Sequence, residues 1–421
     1  EIATIILRIN SPNIPPTEFN LLDFGSKSEL EENIKPILNS VIQKCSSNGG
    51  GKIIIPPGNY VSKGPIHLLS NIHLHLQEGA NIIFSLHPKD YLPNVFVRWE
   101  GVECYNYSPF IYAINQKNIR ISGNGLFNGN AYGGFQTWHA LQKPSQSLLR
   151  EMGRNQVPIK QRIFGEGFYL RPSFMQLVNC QNIEISDINR INIPFWGIHP
   201  TYCKNVTIKN VRINSRFINN DGFDIDSSED VLIENCSFTT GDDAIAIKSG
   251  RDQDGWRVAK PSRNIVIRNC VSDSTLHGLA IGSEMSGGVE NVFIHDFDFN
   301  YVDAYGIQFK SNRDRGGYIR DVLIRDIKIQ VAKTPIFFTN DYHGYSGGNT
   351  PSSIENISIS EFHTVIAKDR SIDMIGTPEV PIRDVFFKKI KIEQANKENK
   401  IKNVKNIHFD DVSINGRKSE F

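Results

Sequence analysis

The sequence predicts an all-β chain wound as a parallel β-helix, a solenoid of stacked coils. Three observations predict it. A short template recurs nine times in one phase, from Asn182 to Asn406. The spacing between successive copies is irregular, from 22 to 35 residues. Composition is rich in turn formers and poor in helix formers, with 33 Gly and only 4 Met.

The template is Asn or Asp, then Ile or Val, any residue, Ile or Phe, two more residues and a closing apolar residue. It reads "NIEISDI" from Asn182, "NVTIKNV" from Asn205, "DVLIENC" from Asp230, "NIVIRNC" from Asn264 and "NVFIHDF" from Asn291. It continues as "DVLIRDI" from Asp321, "NISISEF" from Asn356, "DVFFKKI" from Asp384 and "NIHFDDV" from Asn406, while "NIRISGN" at Asn118 keeps the first half. Alternating apolar positions make a strand with one buried face, and the closing apolar residue restarts a strand beyond a polar turn. One unit cannot bury its apolar face alone, so units stack about 4.8 Å apart into a continuous core. Leucine-rich repeats and propellers hold a tighter period. A β-sandwich remains the alternative on pattern alone.

The other elements follow in order. Residues 1–18, with "NSPNIPP", read as an extended N-terminal arm, and residues 19–421 as the solenoid. "SELEENIKPILNSVIQKCSS" reads as an amphipathic helix that caps the first coil, because an uncovered strand edge recruits other chains. "GGGKIIIPPGNY" is a glycine turn into a short buried strand. Residues 131–171, with Trp138, His139, Arg150, Arg154 and Lys160, interrupt the repeat as an insertion near the active-site groove, read either as a wall at one end or as a surface excursion. Cys236 and Cys270 share one template position and are expected to stack in the core as thiols, since side chains on in-register parallel strands suit disulfide geometry poorly.

Charge is balanced, with 46 Lys and Arg against 45 Asp and Glu. That argues against a nucleic-acid or anionic-membrane partner. No run of 18 apolar residues occurs, so no membrane span is expected. The six cysteines form no CxxC or Cys/His cluster, and no metal or cofactor is expected.

Polar residues keep the same phase. Asn219 and Asp221 lie 14 and 16 residues after Asn205, Asp242 and Asp243 12 and 13 after Asp230, and His277 13 after Asn264. Gln308 and Lys310 lie 17 and 19 after Asn291, and Tyr342 21 after Asp321. Stacked coils place all of them on one face. Each residue alone has a plainer use: aspartates cap tight turns, and a lone histidine or lysine is commonly structural or solvated. Together, three carboxylates, an imidazole, an ammonium and a phenol suit acid–base cleavage of a glycosidic bond. Crowded carboxylates raise the pKa of one, keeping a proton to donate. Calcium could use the aspartates, but His277 and Lys310 oppose a dication. Asp226, Glu229 and Glu234 read as solvated strand faces.

These residues resemble the polygalacturonases of glycoside hydrolase family 28, on a pectate-lyase-like right-handed β-helix. Asn219-Asn220-Asp221 is similar to the family's Asn-Thr-Asp, and Gly241-Asp242-Asp243 matches its Gly-Asp-Asp. Leu276-His277-Gly278 and Gln308-Phe309-Lys310 resemble its Gly-His-Gly and Arg-Ile-Lys with the first residue of each changed. "NDYHG" resembles its downstream tyrosine segment at Tyr342. "PFWGIHPTYCKNV", "KSGRDQDGWR" and "GSEMSGGVENV" resemble the exo-acting branch. The resemblance implies an inverting hydrolase of α-linked galacturonic acid in pectin, with Asp242 as general acid and Asp221 and Asp243 activating water. His277 would tune the acid or bind sugar, and Lys310 would hold a substrate carboxylate. Asn219, Lys248, Arg251, Arg257, Gln308 and Tyr342 would contact substrate. Gln308 in place of arginine suggests a neutral sugar, as in rhamnogalacturonan, on the leaving side, with Arg313 or Arg315 as possible compensation. A monomer acting outside the cytoplasm, secreted or periplasmic, is the expected setting. An endo-acting enzyme, a polysaccharide lyase and a non-catalytic glycan-binding β-helix remain open.

Overall fold

The computed structural model describes residues 7 and 9–420. The remainder of the proposed N-terminal arm lies outside the described residues. The described residues divide into two compact units: 9–220 with 230–232, and 221–229 with 7 and 233–420.

In the first unit, helices α1 (Lys27–Glu32) and α2 (Ile34–Ser47) precede the coils. Ser26 and Glu29 form a reciprocal capping box on α1. The predicted single helix breaks at Asn33, whose side chain caps α2. The buried stripe of α2 is Ile34, Leu38, Val41, Ile42 and Cys45, which faces the first strands. The strands stack in parallel register, one inward row being Ile53, Leu74, Ile121, Ile185 and Ile208. Residues 131–171 fold as 3-10 turns and a helix, Gln142–Arg154, packed through the rings of Tyr107, Phe135, Trp138 and Tyr169.

The second unit is a stack of longer coils. One inward row runs Ile267, Ile294, Ile324, Ile359, Phe387 and Phe409. A second runs Cys270, Phe297, Ile327, Phe362, Ile390 and Val412, the row foreseen for the closing template position. A third runs Phe223, Ile245, Leu279, Ile307, Ile336 and Ile372. Among the described residues no disulfide forms; the Cys236 and Cys270 thiols donate to the carbonyls of Glu234 and Arg268 at 3.3 Å each.

The template's first residue now has a physical cause. Asn118, Asn182, Asn205, Asp230, Asn264, Asn291, Asp321, Asn356, Asp384 and Asn406 all hold φ between 52° and 57°. That left-handed corner favours Asn and Asp among residues with a side chain. Their amides also ladder between coils, Asn205 to Asn182 at 3.0 Å and Asn356 to Asp321 at 2.6 Å. A second left-handed corner follows five residues later, at Asn210, Asn235, Asn269, Asp296 and Asp326.

Candidate active site

Five successive coils of the second unit bring the predicted residues together. Asp221 precedes the strand Phe223–Asp226, Asp243 opens the strand Asp243–Lys248, and His277 opens the strand His277–Gly282. Lys310 ends the strand Val289–Lys310, and Tyr342 follows the strand Tyr318–Thr339. In register, Asp243 lies beside His277, and Gly282 beside Lys310.

Local contacts fix the two-aspartate turn. The hydroxyls of Thr240 and Thr275 donate to the Asp242 carbonyl at 3.0 and 2.7 Å. Gly222 N–H donates to the Asp243 carbonyl at 2.9 Å, and a Cβ at Gly222 would stand 2.2 Å from the Ala244 carbonyl oxygen. Only glycine allows that approach.

Asp242 is partly exposed, whereas Asp243 is buried. Lys310 Nζ donates to both Asp243 oxygens, at 2.9 and 3.3 Å, and lies 5.6 Å from the Tyr342 ring centre. Burial pushes the Asp243 carboxyl up, but Lys310, His277 and Lys248 outweigh it and hold it below the ordinary range. His277 stacks on Tyr305 at 5.3 Å, which stacks on Phe337 at 3.9 Å. Burial lowers the His277 pKa to about 4, Lys310 and other cations adding to it against the pull of Asp243. The imidazole is therefore neutral near pH 7. Tyr342 is raised by burial and by Asp243 and Asp242, against the pull of Lys310.

The sequence pattern missed Asp224. It has no accessible surface, and its carboxyl faces that of Asp221. Burial raises Asp221 well above its ordinary value, and Asp224, Asp242 and Asp243 add to this. Burial raises Asp224 likewise, partly opposed by Lys248, whose Nζ lies 3.9 Å away. Strict alternation with inward Phe223 and Ile225 was the available signal. Asp226, expected in solvent, is fully buried because its strand is covered on both faces. Glu229 and Glu234 are half-buried in ion pairs with Arg263 and Arg268 at 2.6 and 2.7 Å.

The cations after Lys248 sit differently from expectation. Lys248 and Arg251 are buried and share Glu284, Lys248 at 3.2 Å. Burial raises Glu284, but Lys248, Arg251 and Arg315 bring it well below the ordinary range. Arg315, named as compensation for Gln308, pairs with Asp252, and Arg313 with Glu379 at 3.0 Å. Arg257 is exposed and pairs with Asp254 at 3.2 Å. Gln308, expected to contact substrate, has no accessible surface and no hydrogen-bond partner for its amide atoms. Asn219 belongs to the first unit, where it takes φ 61° and accepts from the buried Arg171 guanidinium at 2.6 Å.

Asp242, Asp243 and His277 offer ligand atoms within 4.8 Å of one another, but the ammonium on Asp243 already supplies the positive charge that a cation would. Among the described residues no helix is long and apolar enough to cross a membrane.

Residues 164–413 match the model of glycosyl hydrolases family 28, well over half the chain. The chain belongs to that family. It is a glycoside hydrolase. A hyperthermoactive exopolygalacturonase from Thermotoga maritima is 34% identical, with a TM-score of 0.92 over 98% of this chain and 94% of that one. The fold is therefore the family's right-handed parallel β-helix. A probable polygalacturonase of Vitis vinifera is 27% identical over 91% of this chain and 75% of its own. A family 28 exopolygalacturonase of Yersinia enterocolitica, 21% identical, shares the fold with a TM-score of 0.75 over 96% of this chain and 79% of its own.

Proposed function

We propose that the chain hydrolyses α-linked galacturonic acid from the end of pectic chains, with inversion, outside the cytoplasm. The observation that carries the assignment of roles is the contrast between two adjacent carboxyls. Asp242 is partly exposed, while Asp243 is buried and held ionised by Lys310. A general acid must reach the leaving oxygen, and a base must be ionised before water arrives. Asp242 protonates the glycosidic oxygen. Asp243 takes the proton of the attacking water, and Asp221 orients that water. His277, neutral and stacked on Tyr305, shapes the wall beside Asp242 and Asp243. Lys310 and Tyr342 meet the substrate carboxylate.

Inverting pairs usually stand about 6.5–9.5 Å apart to leave room for water between them. Asp242 and Asp243 are closer, with oxygens within 4.8 Å, so water enters beside the pair, against Asp221. Likeness to the Thermotoga maritima exopolygalacturonase supports action from a chain end.

Trigalacturonate followed by proton NMR tests this. The expected first products are monomer and dimer, with the new reducing end appearing as the β-anomer. Asp242→Asn is expected to lower kcat by at least about a thousandfold with the circular dichroism spectrum unchanged. An α-anomer, random shortening of long chains, or an unsaturated ultraviolet-absorbing product would overturn inversion, exo action or hydrolysis respectively.

A further inference from the structure

We propose that Asp224 is a positioning residue that shares a single proton with Asp221, so that the two carboxyls together carry one negative charge. Asp221 and Asp224 are 2% and 0% exposed. Asp221 Oδ1 and both carboxyl oxygens of Asp224 are buried without a hydrogen-bond donor. Two facing carboxylates offer each other only acceptors. One proton between them converts an acceptor–acceptor clash into a short charge-assisted hydrogen bond and removes one buried charge.

The surrounding charges decide where that proton rests. Asp242 and Asp243, from the next coil, press it onto the pair. Lys248 Nζ, 3.9 Å from Asp224 and 3.2 Å from Glu284, is the cation that favours ionised Asp224, and its charge is divided between the two. Lys310 is committed to Asp243. The proton therefore stays with the pair at neutral pH, with its hydrogen toward Asp221. The consequence, which rests on the proposed activity, is electrostatic. With Asp242 protonated as the acid, three ionised carboxyls would repel a galacturonate anion; the shared proton removes one of those charges and holds Asp221 against Asp224, leaving its other oxygen to accept from the attacking water.

Capillary electrophoresis of folded protein at pH 7 tests the proton count whatever the substrate. Asp224→Asn is expected to leave the mobility unchanged, because a shared charge remains on Asp221; Asp221→Asn is expected to do the same. Asp410→Asn, at a side chain 70% exposed, shifts it by one charge and calibrates the measurement. Both buried variants shift by one charge in urea. For positioning, kcat of Asp224→Asn, whose amide can still hydrogen-bond the Asp221 carboxyl, is expected to exceed that of Asp224→Leu by at least about tenfold. A full-charge shift in either folded Asn variant overturns the shared proton, and an Asn variant no more active than the Leu variant overturns the positioning role.

Discussion

Replacing Lys310 by Met removes the cation that holds Asp243 ionised while keeping an unbranched side chain of similar bulk. Lys310 Nζ stands 2.9 Å from Asp243 Oδ2, and both residues are at most 5% exposed. At an effective dielectric near 20, a charge pair at that distance interacts by about 6 kcal/mol. Desolvation offsets part of it, and breaking one side of a buried pair typically costs about 3–5 kcal/mol. Asp243 relieves the cost by taking up a proton. At 1.36 kcal/mol per pH unit, about 3 kcal/mol moves its titration upward by about two units. A raised carboxyl pKa means that the base is lost as pH falls through the new value, so the acid limb of kcat moves to higher pH. Well below that limb the ionised fraction drops about a hundredfold. The assay is kcat and KM against pH on trigalacturonate, with urea unfolding as the check on folding. An unmoved acid limb with only KM increased would refute the reasoning, because Lys310 would then serve the substrate alone.

The neutral, buried His277 makes the protein acid-sensitive. Its pKa falls to about 4 in the fold, so protons bind the unfolded chain first and stability is lost as pH drops from 6.5 to 4, by up to about 3 kcal/mol; His277→Asn is expected to flatten the urea midpoint over that window, and an unchanged slope would contradict it. In the core, Phe309 stacks on Phe338 at 4.2 Å with no exposure, and Phe309→Ala is expected to cost about 3–5 kcal/mol. The same change at Phe386, 39% exposed, is expected to cost under about 1 kcal/mol, and equal urea midpoints would contradict the inward and outward assignment.

The sequence by itself determined the coil. Asn and Asp recur at Asn264, Asn291, Asp321 and Asn356 because each corner needs a left-handed backbone, and the apolar positions between them face inward because strands alternate. Similar offsets from these corners, 12 to 19 residues, were enough to gather Asp221, Asp242, Asp243, His277 and Lys310, since stacking converts phase into proximity. Tertiary structure alone decided the charges. Phase says which side a residue faces but not what covers it, so the burial of Asp224, Asp226 and Gln308 was not legible. Nor was the commitment of Lys248 and Arg251 to Glu284, two residues beyond Gly282 on another coil. Desolvation and charge pairing depend on neighbours distant in the chain, and they make Asp243 a carboxylate while Asp221 sits with a partner that the repeat never singled out.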